Sequence, residues 1–162
     1  MRGKLKLLLA LLAFGLFTLS GACADQDWQE AEAPLPPAWR MDKLIPIDMP
    51  IRTDLSFGID PATLTIGPDW VVRYVVVAYR PGGSTNAIYE GLRCNTAEVK
   101  TYARASEPGK WSPVGSPIWR PLDVTQSATR HSLALARQGL CDSSAVGGRT
   151  PAELVRRLQM PR

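Results

Sequence analysis

The clearest pattern of apolar positions in the chain is the run from 70 to 79, which Arg73 interrupts with a single charge. Valine and aromatic residues fill both alternating faces of this run, a pattern typical of a strand covered on both sides. Shorter strand-like runs follow at about 86–94 and 98–103, separated by turns rich in Pro, Gly and Asn. Because such short connections join only antiparallel neighbours, the pattern predicts an antiparallel β-meander.

Apolar residues recur at helical spacing towards the C-terminus. Leu133, Ala136 and Leu140 predict a helix from about 127 to 139. Thr150, followed by Pro and three positions later by Glu, has the signature of a second, shorter helix. We therefore expect an α+β fold in which a C-terminal helix covers an antiparallel β-meander sheet, with a Pro-rich N-terminal arm and one disulfide.

The N-terminal residues have the pattern of an export signal. Three basic residues and no acid occur among the first six positions, and an uncharged apolar run follows them. Ala22 and Ala24 supply the small side chains of a cleavage site, so we expect a signal peptide at residues 1–24 and a periplasmic or secreted protein. The residues before Cys23 also resemble the end of a lipobox. Lipidation at Cys23 is the alternative, and only in that case is the protein a membrane-anchored lipoprotein.

Composition divides the rest of the chain into three parts. Residues 25–50 are rich in Pro and contain Trp28 and Trp39, which predicts an extended arm that lies across the domain. Residues 51–142 carry the strand and helix patterns and are predicted to form a single α+β domain. We expect residues 143–162 to form a flexible tail with a short terminal helix.

The net charge argues against a nucleic-acid partner. The chain holds 19 Lys and Arg against 15 Asp and Glu, a formal net charge of +4. Three of the basic residues lie in the predicted signal peptide, which leaves 16 basic and 15 acidic residues in the mature chain. Because that chain lacks the basic excess that attracts nucleic acid, we expect no nucleic acid among its partners.

The number of cysteines predicts a disulfide. Removal or lipidation of Cys23 leaves Cys94 and Cys141, an even pair in an oxidising compartment. A Cys94–Cys141 bond would stabilise the fold by about 4 kcal/mol in the chain-entropy model, because the loop it closes is long. The alternative is a pair of free, buried thiols.

The sequence contains no recognisable catalytic or cofactor motif. A single His excludes a site built from several His ligands, and no nucleophile elbow, phosphate-binding loop, His-Glu-x-x-His or Cys-x-x-Cys is present. We therefore predict no catalytic residues, no metal and no cofactor. His131, beside Arg130 on an amphipathic helix, is expected to be a solvated surface residue.

Charged residues on the core strands are the best candidates for a ligand-binding site. The structural interpretation is cross-strand ion pairing, such as Arg73 with Glu90, because unpaired buried charges are costly. The functional interpretation is a weak site for an anionic or carbohydrate-like ligand, built from Arg73, Tyr89, Glu90 and Arg93. The register of the hairpin decides whether Arg73 and Glu90 share a face, and a slip of one residue would separate them.

Several segments resemble one family of exported proteobacterial proteins. Tyr-Glu-Gly-Leu-Arg-Cys at 89–94 is the most specific of them, and the run at 72–78 with Trp111 and Trp119 extends the likeness over most of the mature chain. On these residues the chain resembles the cryptic neisserial protein-like, or CNP1-like, family. One departure is Trp70, near which a Gly is expected. The resemblance implies an exported single domain whose biochemical function is not known.

Two functional hypotheses follow. The first is an exported, non-enzymatic binding or interaction module of the cell envelope, whose partner is an envelope protein or ligand that the sequence does not identify. Five Trp and four Tyr favour this hypothesis, because such residues suit half-wet interfaces. The alternative is a small carboxylate-dependent periplasmic hydrolase that pairs Glu90 with Asp60 or Asp69.

Overall fold

The computed structural model describes residues 28–51 and 53–161. The predicted signal peptide at residues 1–24, with its cleavage after Ala24 and the alternative lipidation at Cys23, lies outside the described residues. Within the described ranges, no helix is both long enough and apolar enough to cross a membrane.

Eight antiparallel strands form one sheet, and its three long central strands confirm the predicted β-meander. In chain order the strands are β1 (Ile45–Pro46), β2 (Ser56–Ile59), β3 (Thr65–Ile66), β4 (Val72–Tyr79), β5 (Thr85–Arg93), β6 (Glu98–Ala105), β7 (Ser112–Pro113) and β8 (Arg120–Pro121). They lie side by side in the order β1-β2-β4-β5-β6-β7, while β3 also pairs with β4 and β8 with β6.

Turn chemistry sets the ends of these strands. Strand β4 begins at Val72 rather than at the predicted position 70, because the Trp70 N–H donates to the Gly67 carbonyl at 3.0 Å and closes a turn. Pro113 and Pro121 lie in the short strands β7 and β8, where a residue without an N–H costs the sheet little.

The C-terminal segment is helical as predicted, with one irregular turn. Its elements are α1 (Arg130–Leu135), a π-helical turn (Ala136–Leu140), β9 (Cys141–Asp142), β10 (Ala145–Val146) and α2 (Pro151–Leu158). Gly139 has a φ of 136° and kinks the chain at the end of the π-helical turn. Helix α2 begins at the predicted cap, where Thr150 Oγ1 accepts a hydrogen bond from the Glu153 N–H at 3.3 Å.

Both faces of the central strands are buried, as the apolar pattern of β4 predicts. On the helix face, Tyr74 and Val76 belong to one hydrophobic core with Leu135, Leu140 and Leu154 from the C-terminal segment. A helical cover of this kind is what an α+β sheet needs on a face that cannot stay in water.

The opposite face, which we call the arm face, holds a second and smaller core. Its buried residues on the strands are Val75, Val77 and Tyr89, and Trp39 of the N-terminal arm packs against them. Trp111, just before β7, packs against the same core and meets Tyr89 edge-on. The aromatic residues of the arm therefore replace water on a face that no helix covers.

The predicted boundaries of the domain are too narrow at both ends. Leu154 and Leu158 of α2 are almost fully buried, so this part of residues 143–162 belongs to the core and does not form a flexible tail. Ile45 and Ile47, placed in the arm by the sequence, are also buried in the core of the helix face. Both segments supply the apolar cover that the sheet needs.

The predicted disulfide is present. It joins Cys94, just after β5, to Cys141, just after the π-helical turn, with their Cα atoms 5.5 Å apart. The bond spans 47 positions of sequence and ties the end of the helical segment to the central hairpin.

Reduction of this bond is expected to lower the melting temperature by on the order of 10 °C, because about 4 kcal/mol of loop-closure stabilisation is lost. Calorimetry with and without reductant measures the shift. The double variant Cys94→Ser/Cys141→Ser is the control and should melt at the reduced temperature whether or not reductant is present. Free thiols on both cysteines of the denatured, unreduced protein would contradict the prediction.

Candidate functional site

The register between β4 and β5 decides which of the predicted site residues share a face. Tyr74 lies opposite Glu90, and Arg73 lies opposite Gly91. Because successive residues of a strand point to opposite faces, Glu90 lies on the helix face and Arg73 on the arm face. The expected ion pair between Arg73 and Glu90 is therefore wrong. Tyr89 and Arg93 lie with Arg73 on the arm face, apart from Glu90.

Glu90 is the centre of a buried hydrogen-bond network on the helix face. His131 Nε2 lies 3.1 Å from both of its carboxylate oxygens. Ser132 Oγ donates to the Glu90 carboxylate at 3.0 Å, and the Tyr74 hydroxyl donates to it at 3.2 Å. Thr101 Oγ1 adds a longer contact of 3.4 Å. These donors replace the water that the carboxylate loses when helix α1 covers it.

His131 is only 4 % exposed, which corrects the expectation that it is a solvated surface residue. It lies four residues before Leu135 and so shares the buried face of the helix. Its ring stacks on Phe57 with the two centroids 5.5 Å apart. The reason for its burial is the Glu90 carboxylate opposite, which the spacing of apolar residues along the helix does not reveal.

The network does not have the geometry of a catalytic triad. The Ser132 hydroxyl donates to Glu90 and not to His131, so the histidine does not act on it as a base. Burial, and after it the Glu90 carboxylate, raises the pKa of Tyr74 well above its ordinary value, so this hydroxyl stays a donor. These residues hold α1 on the sheet.

Arg73 and Asp69 form a buried ion pair on the arm face. Arg73 Nη2 lies 2.7 Å from Asp69 Oδ2. Both side chains also bind the backbone of Ala31: Arg73 donates to its carbonyl at 3.0 Å, and its N–H donates to Asp69 at 2.9 Å. Burial raises the pKa of Asp69, but the hydrogen bonds from Arg73 and from backbone N–H groups outweigh burial and lower it.

Glu30 of the arm lies in a socket of three donors. Its carboxylate accepts from Lys100 Nζ at 2.7 Å, from the Tyr102 hydroxyl at 2.8 Å and from Trp119 Nε1 at 3.1 Å. Burial raises the pKa of Glu30, and these three donors lower it by more. Gly91 leaves room for the socket, because a Cβ there would lie 2.5 Å from the Tyr102 hydroxyl oxygen.

Arg93 and Tyr89 complete the arm face in different ways. The Arg93 guanidinium carbon lies 3.5 Å from the centre of the Trp28 ring, and Trp28 meets Trp119 edge-on at 5.9 Å. Tyr89 is buried beside Tyr102, with ring centroids 5.4 Å apart, and burial raises its pKa. Arg93 thus holds the arm, whereas Tyr89 belongs to the core beneath it.

The carboxylates that the hydrolase hypothesis requires, Glu90 with Asp60 or Asp69, each form hydrogen bonds with different partners. Asp60 caps the 3₁₀ turn Pro61–Thr63, accepting from the Ala62 N–H at 3.0 Å and from the Arg40 N–H at 2.8 Å. Asp69 is paired with Arg73, and Glu90 is held by the helix face. Among the residues that the structure describes, no group of three His, Cys, Asp or Glu side chains is arranged to hold a metal ion.

Trp70 is the most unusual exposed residue in the described chain. Its side chain is 63 % exposed, and its backbone has a left-handed φ of 60°. Trp70 ends a turn that begins at Gly67. Glycine normally occupies the left-handed position at the end of such a hairpin turn. A side chain there costs roughly 1–2 kcal/mol of backbone strain. Trp70 therefore keeps a large aromatic surface in water at a strained position.

A pocket of about 420 Å³ opens beside Trp70, within the size range of ligand sites. Its lining residues come from the turn before β4, the turn after β5, the β9–β10 hairpin and the loop before α2: Trp70, Cys94, Asn95, Ser144, Ala145, Val146, Gly148 and Arg149. The disulfide at Cys94 fixes the hairpin that forms one wall. The pocket is thus built on constrained elements.

A second cavity of about 610 Å³ adjoins this pocket and is basic. The two share Val146, Gly148 and Arg149, and we call the combined depression the Trp70 groove. Arg156 and Arg157 of α2 line the second cavity, and Arg157 pairs with Asp142 at 3.2 Å.

Arg149 and Arg156 differ from Arg157 in their ion pairing. Within the described part of the chain, neither forms an ion pair with an acid. The groove therefore combines an exposed aromatic ring with three arginines against one lining acid, Glu153.

The predicted site residues did not point to this groove. The apolar pattern places Trp70 in the buried strand, because the run continues through it without a break. The signal that would have found it is the turn sequence Gly67-Pro68-Asp69, after which a left-handed residue is expected before the strand begins.

Removing the Trp70 side chain in two ways separates strain from contact. Trp70→Gly should be more stable than Trp70→Ala by about 1 kcal/mol, because only glycine relieves the left-handed backbone. Chemical denaturation measures the difference. Ile118, also exposed but not left-handed, is the matched control, and there the Gly variant should be no more stable than the Ala variant. Equal stabilities of the two Trp70 variants would contradict the assigned strain.

Comparison with known proteins identifies a family but no functional relative. The model of the CNP1-like family matches residues 23–159. No curated protein and no solved structure matches the chain.

Proposed function

The chain belongs to the CNP1-like family, and we propose that it is an exported, non-enzymatic binding module of the cell envelope that holds its ligand in the Trp70 groove. The observation that carries this proposal is the exposed Trp70 ring at a left-handed backbone position beside a preformed pocket. Ala97 and Ser143 are also left-handed, but only at Trp70 does the strained position carry a large exposed ring, and strained positions cluster at functional sites.

The lining of the groove favours an anionic ligand with a flat or apolar part. Trp70 offers a ring face for stacking, and Asn95 and Ser144 offer polar atoms at its edge. Arg149 and Arg156 add positive charge with a fork of donors that suits carboxylate or phosphate groups. An envelope component with these properties is the proposed partner.

The state of the carboxylates supports binding rather than catalysis. Asp60, Asp69 and Glu90 each accept hydrogen bonds from neighbouring groups, and they do so with separate partners. A hydrolase needs two acids that face one substrate across a cleft. The groove beside Trp70 contains one acid, Glu153, whose carboxylate accepts from the Arg149 N–H at 2.7 Å.

Export forms part of the proposal. The apolar N-terminal run with its cleavage site after Ala24 supports it, and the Cys94–Cys141 disulfide is typical of an oxidising compartment. The protein is accordingly proposed to be periplasmic or secreted, with the lipoprotein anchored at Cys23 as the alternative form.

Intact-mass measurement of the protein purified from the cell envelope tests export. The expected mass is that of a chain beginning at Asp25, two hydrogens lighter for the disulfide. A chain that begins at a lipidated Cys23 would select the lipoprotein form. Protein that retains residues 1–24 and stays in the cytoplasm would overturn the export proposal.

Site-specific photo-crosslinking tests the groove. A photoreactive amino acid placed at position 70 should give a defined adduct in living cells, because the ligand contacts this ring. The same amino acid at Leu35, which is 91 % exposed and far from the groove in sequence, is the control and should give no such adduct. The adduct should weaken when Arg149→Ala and Arg156→Ala are combined. Identical products from positions 70 and 35 would refute a ligand in the groove.

A further inference from the structure

Residues 28–31 lie on the arm face in the manner of a bound peptide. The N–H of Ala31 donates to Asp69, and its carbonyl accepts from Arg73. The Arg73–Asp69 ion pair therefore binds both polar groups of the Ala31 backbone. The Trp28 indole N–H donates to the backbone carbonyl of Asp69 at 3.0 Å. Peptide-binding proteins recognise an extended segment by this combination of backbone and side-chain contacts.

Glu30 and Trp28, the two side chains of the segment that face the sheet, each contact their own set of residues. The Glu30 carboxylate takes all three donors of the socket formed by Lys100, Tyr102 and Trp119. Trp28 lies against the Arg93 guanidinium and the edge of Trp119. Gln29, between them, is exposed. These contacts thus favour a peptide with a Trp two positions before a Glu.

The segment is connected to the rest of the arm by a linker without polar contacts, in which Ala33, Pro36 and Pro37 are half-buried. Within the described chain, residues 32–38 form no hydrogen bond or ion pair, and Leu35 is 91 % exposed. The next anchors are the buried Trp39 ring and the Arg40 N–H, which donates to Asp60. The linker contains three prolines, which keep it extended. Residues 28–31 are therefore held by their own contacts and can leave without moving Trp39.

We propose that the cleft formed by Arg73, Arg93, Lys100, Tyr102 and Trp119 is a peptide-binding site, which residues 28–31 occupy in cis. Its ligand in trans is an acidic peptide that carries a Trp two residues before a Glu. The tethered segment competes at an effective concentration on the order of millimolar, so it keeps the cleft closed to weak ligands. This site is separate from the Trp70 groove and does not rest on it.

Binding of a synthetic peptide in trans tests the proposal. The probe is a fluorescein-labelled peptide with the sequence of residues 25–33, Asp-Gln-Asp-Trp-Gln-Glu-Ala-Glu-Ala. The full chain with Trp28→Ala/Glu30→Ala releases the cleft and should bind the peptide about tenfold or more tightly than the wild-type chain. A peptide with Gln in place of its Glu at position 30 should bind the released chain about tenfold more weakly, because it loses the charge-assisted bonds.

Three further chains make the result specific. Glu32→Gln alters an exposed acid of the same arm and should bind the peptide as weakly as the wild type. Lys100→Gln added to the released chain should remove peptide binding, because it removes one donor of the socket. Glu30→Gln alone keeps the Trp28 and Ala31 contacts and should open the cleft in part, which provides a second released chain if the double variant unfolds.

Two readouts decide between the sources of the peptide. Sedimentation of the wild-type chain that shows a concentration-dependent dimer, abolished by Trp28→Ala/Glu30→Ala, would identify the segment of a second copy as the ligand in the same cleft. A monomeric wild type whose released chain binds the peptide excludes a second copy as the source and supports a partner protein. Absence of peptide binding by both released chains, with melting curves that show them folded, would overturn the proposal.

Discussion

Burial of both faces of β4 is the constraint on which the rest of this structure depends. Every residue from 72 to 78 is buried, and each fully buried Val contributes about 1.5–3 kcal/mol when it leaves water. A strand of this kind cannot lie at an open surface of a sheet. The chain therefore has to supply two covers, and it takes one from each end: the C-terminal helices on one face and the N-terminal arm on the other.

The same burial determines what the charged residues of the central strands do. Arg73 and Glu90 lie one register position apart on neighbouring strands and face opposite covers, and an unpaired charge in either position would cost several kcal/mol. Each charge therefore has its own partners: His131 and Ser132 of the helical cover for Glu90, and for Arg73 the Asp69 carboxylate of the turn before β4 with the Ala31 carbonyl of the arm. Because these charges are already paired within the fold, they are not available to pair with a charge on a ligand. Trp70, by contrast, is exposed beside a pocket.

The arm combines two kinds of attachment with different consequences. Trp39, Ile45 and Ile47 are held by apolar burial, which is lost only when the core opens. Residues 28–31 are held by polar contacts and one cation–π contact on the arm face, and the hydrogen bonds to charged groups contribute about 1.5–3 kcal/mol each. Trp39, Ile45 and Ile47 are thus part of the core, whereas residues 28–31 are the segment that we propose to be exchangeable.

The sequence by itself determined the antiparallel sheet, the covering helix, the cap of α2 and the Cys94–Cys141 bond. Alternation, helical spacing, turn residues and the parity of cysteines are properties of short segments, so they can be recognised before the chain folds. The segments at 72–78 and 89–94, with Trp111 and Trp119, indicated the family, and Tyr-Glu-Gly-Leu-Arg-Cys at 89–94 was the most specific of them.

Only the tertiary structure decided which residues meet. The turn between β4 and β5 sets the register, and a change of one residue there would exchange the faces of Arg73 and Glu90. Glu30 and Lys100 are 70 positions apart, so no local pattern joins them. The burial of His131 depends on the acid opposite, and the exposure of Trp70 on where its turn ends. Contacts between distant segments are properties of the packed chain, because each side chain is placed by partners that its own neighbours in sequence do not reveal.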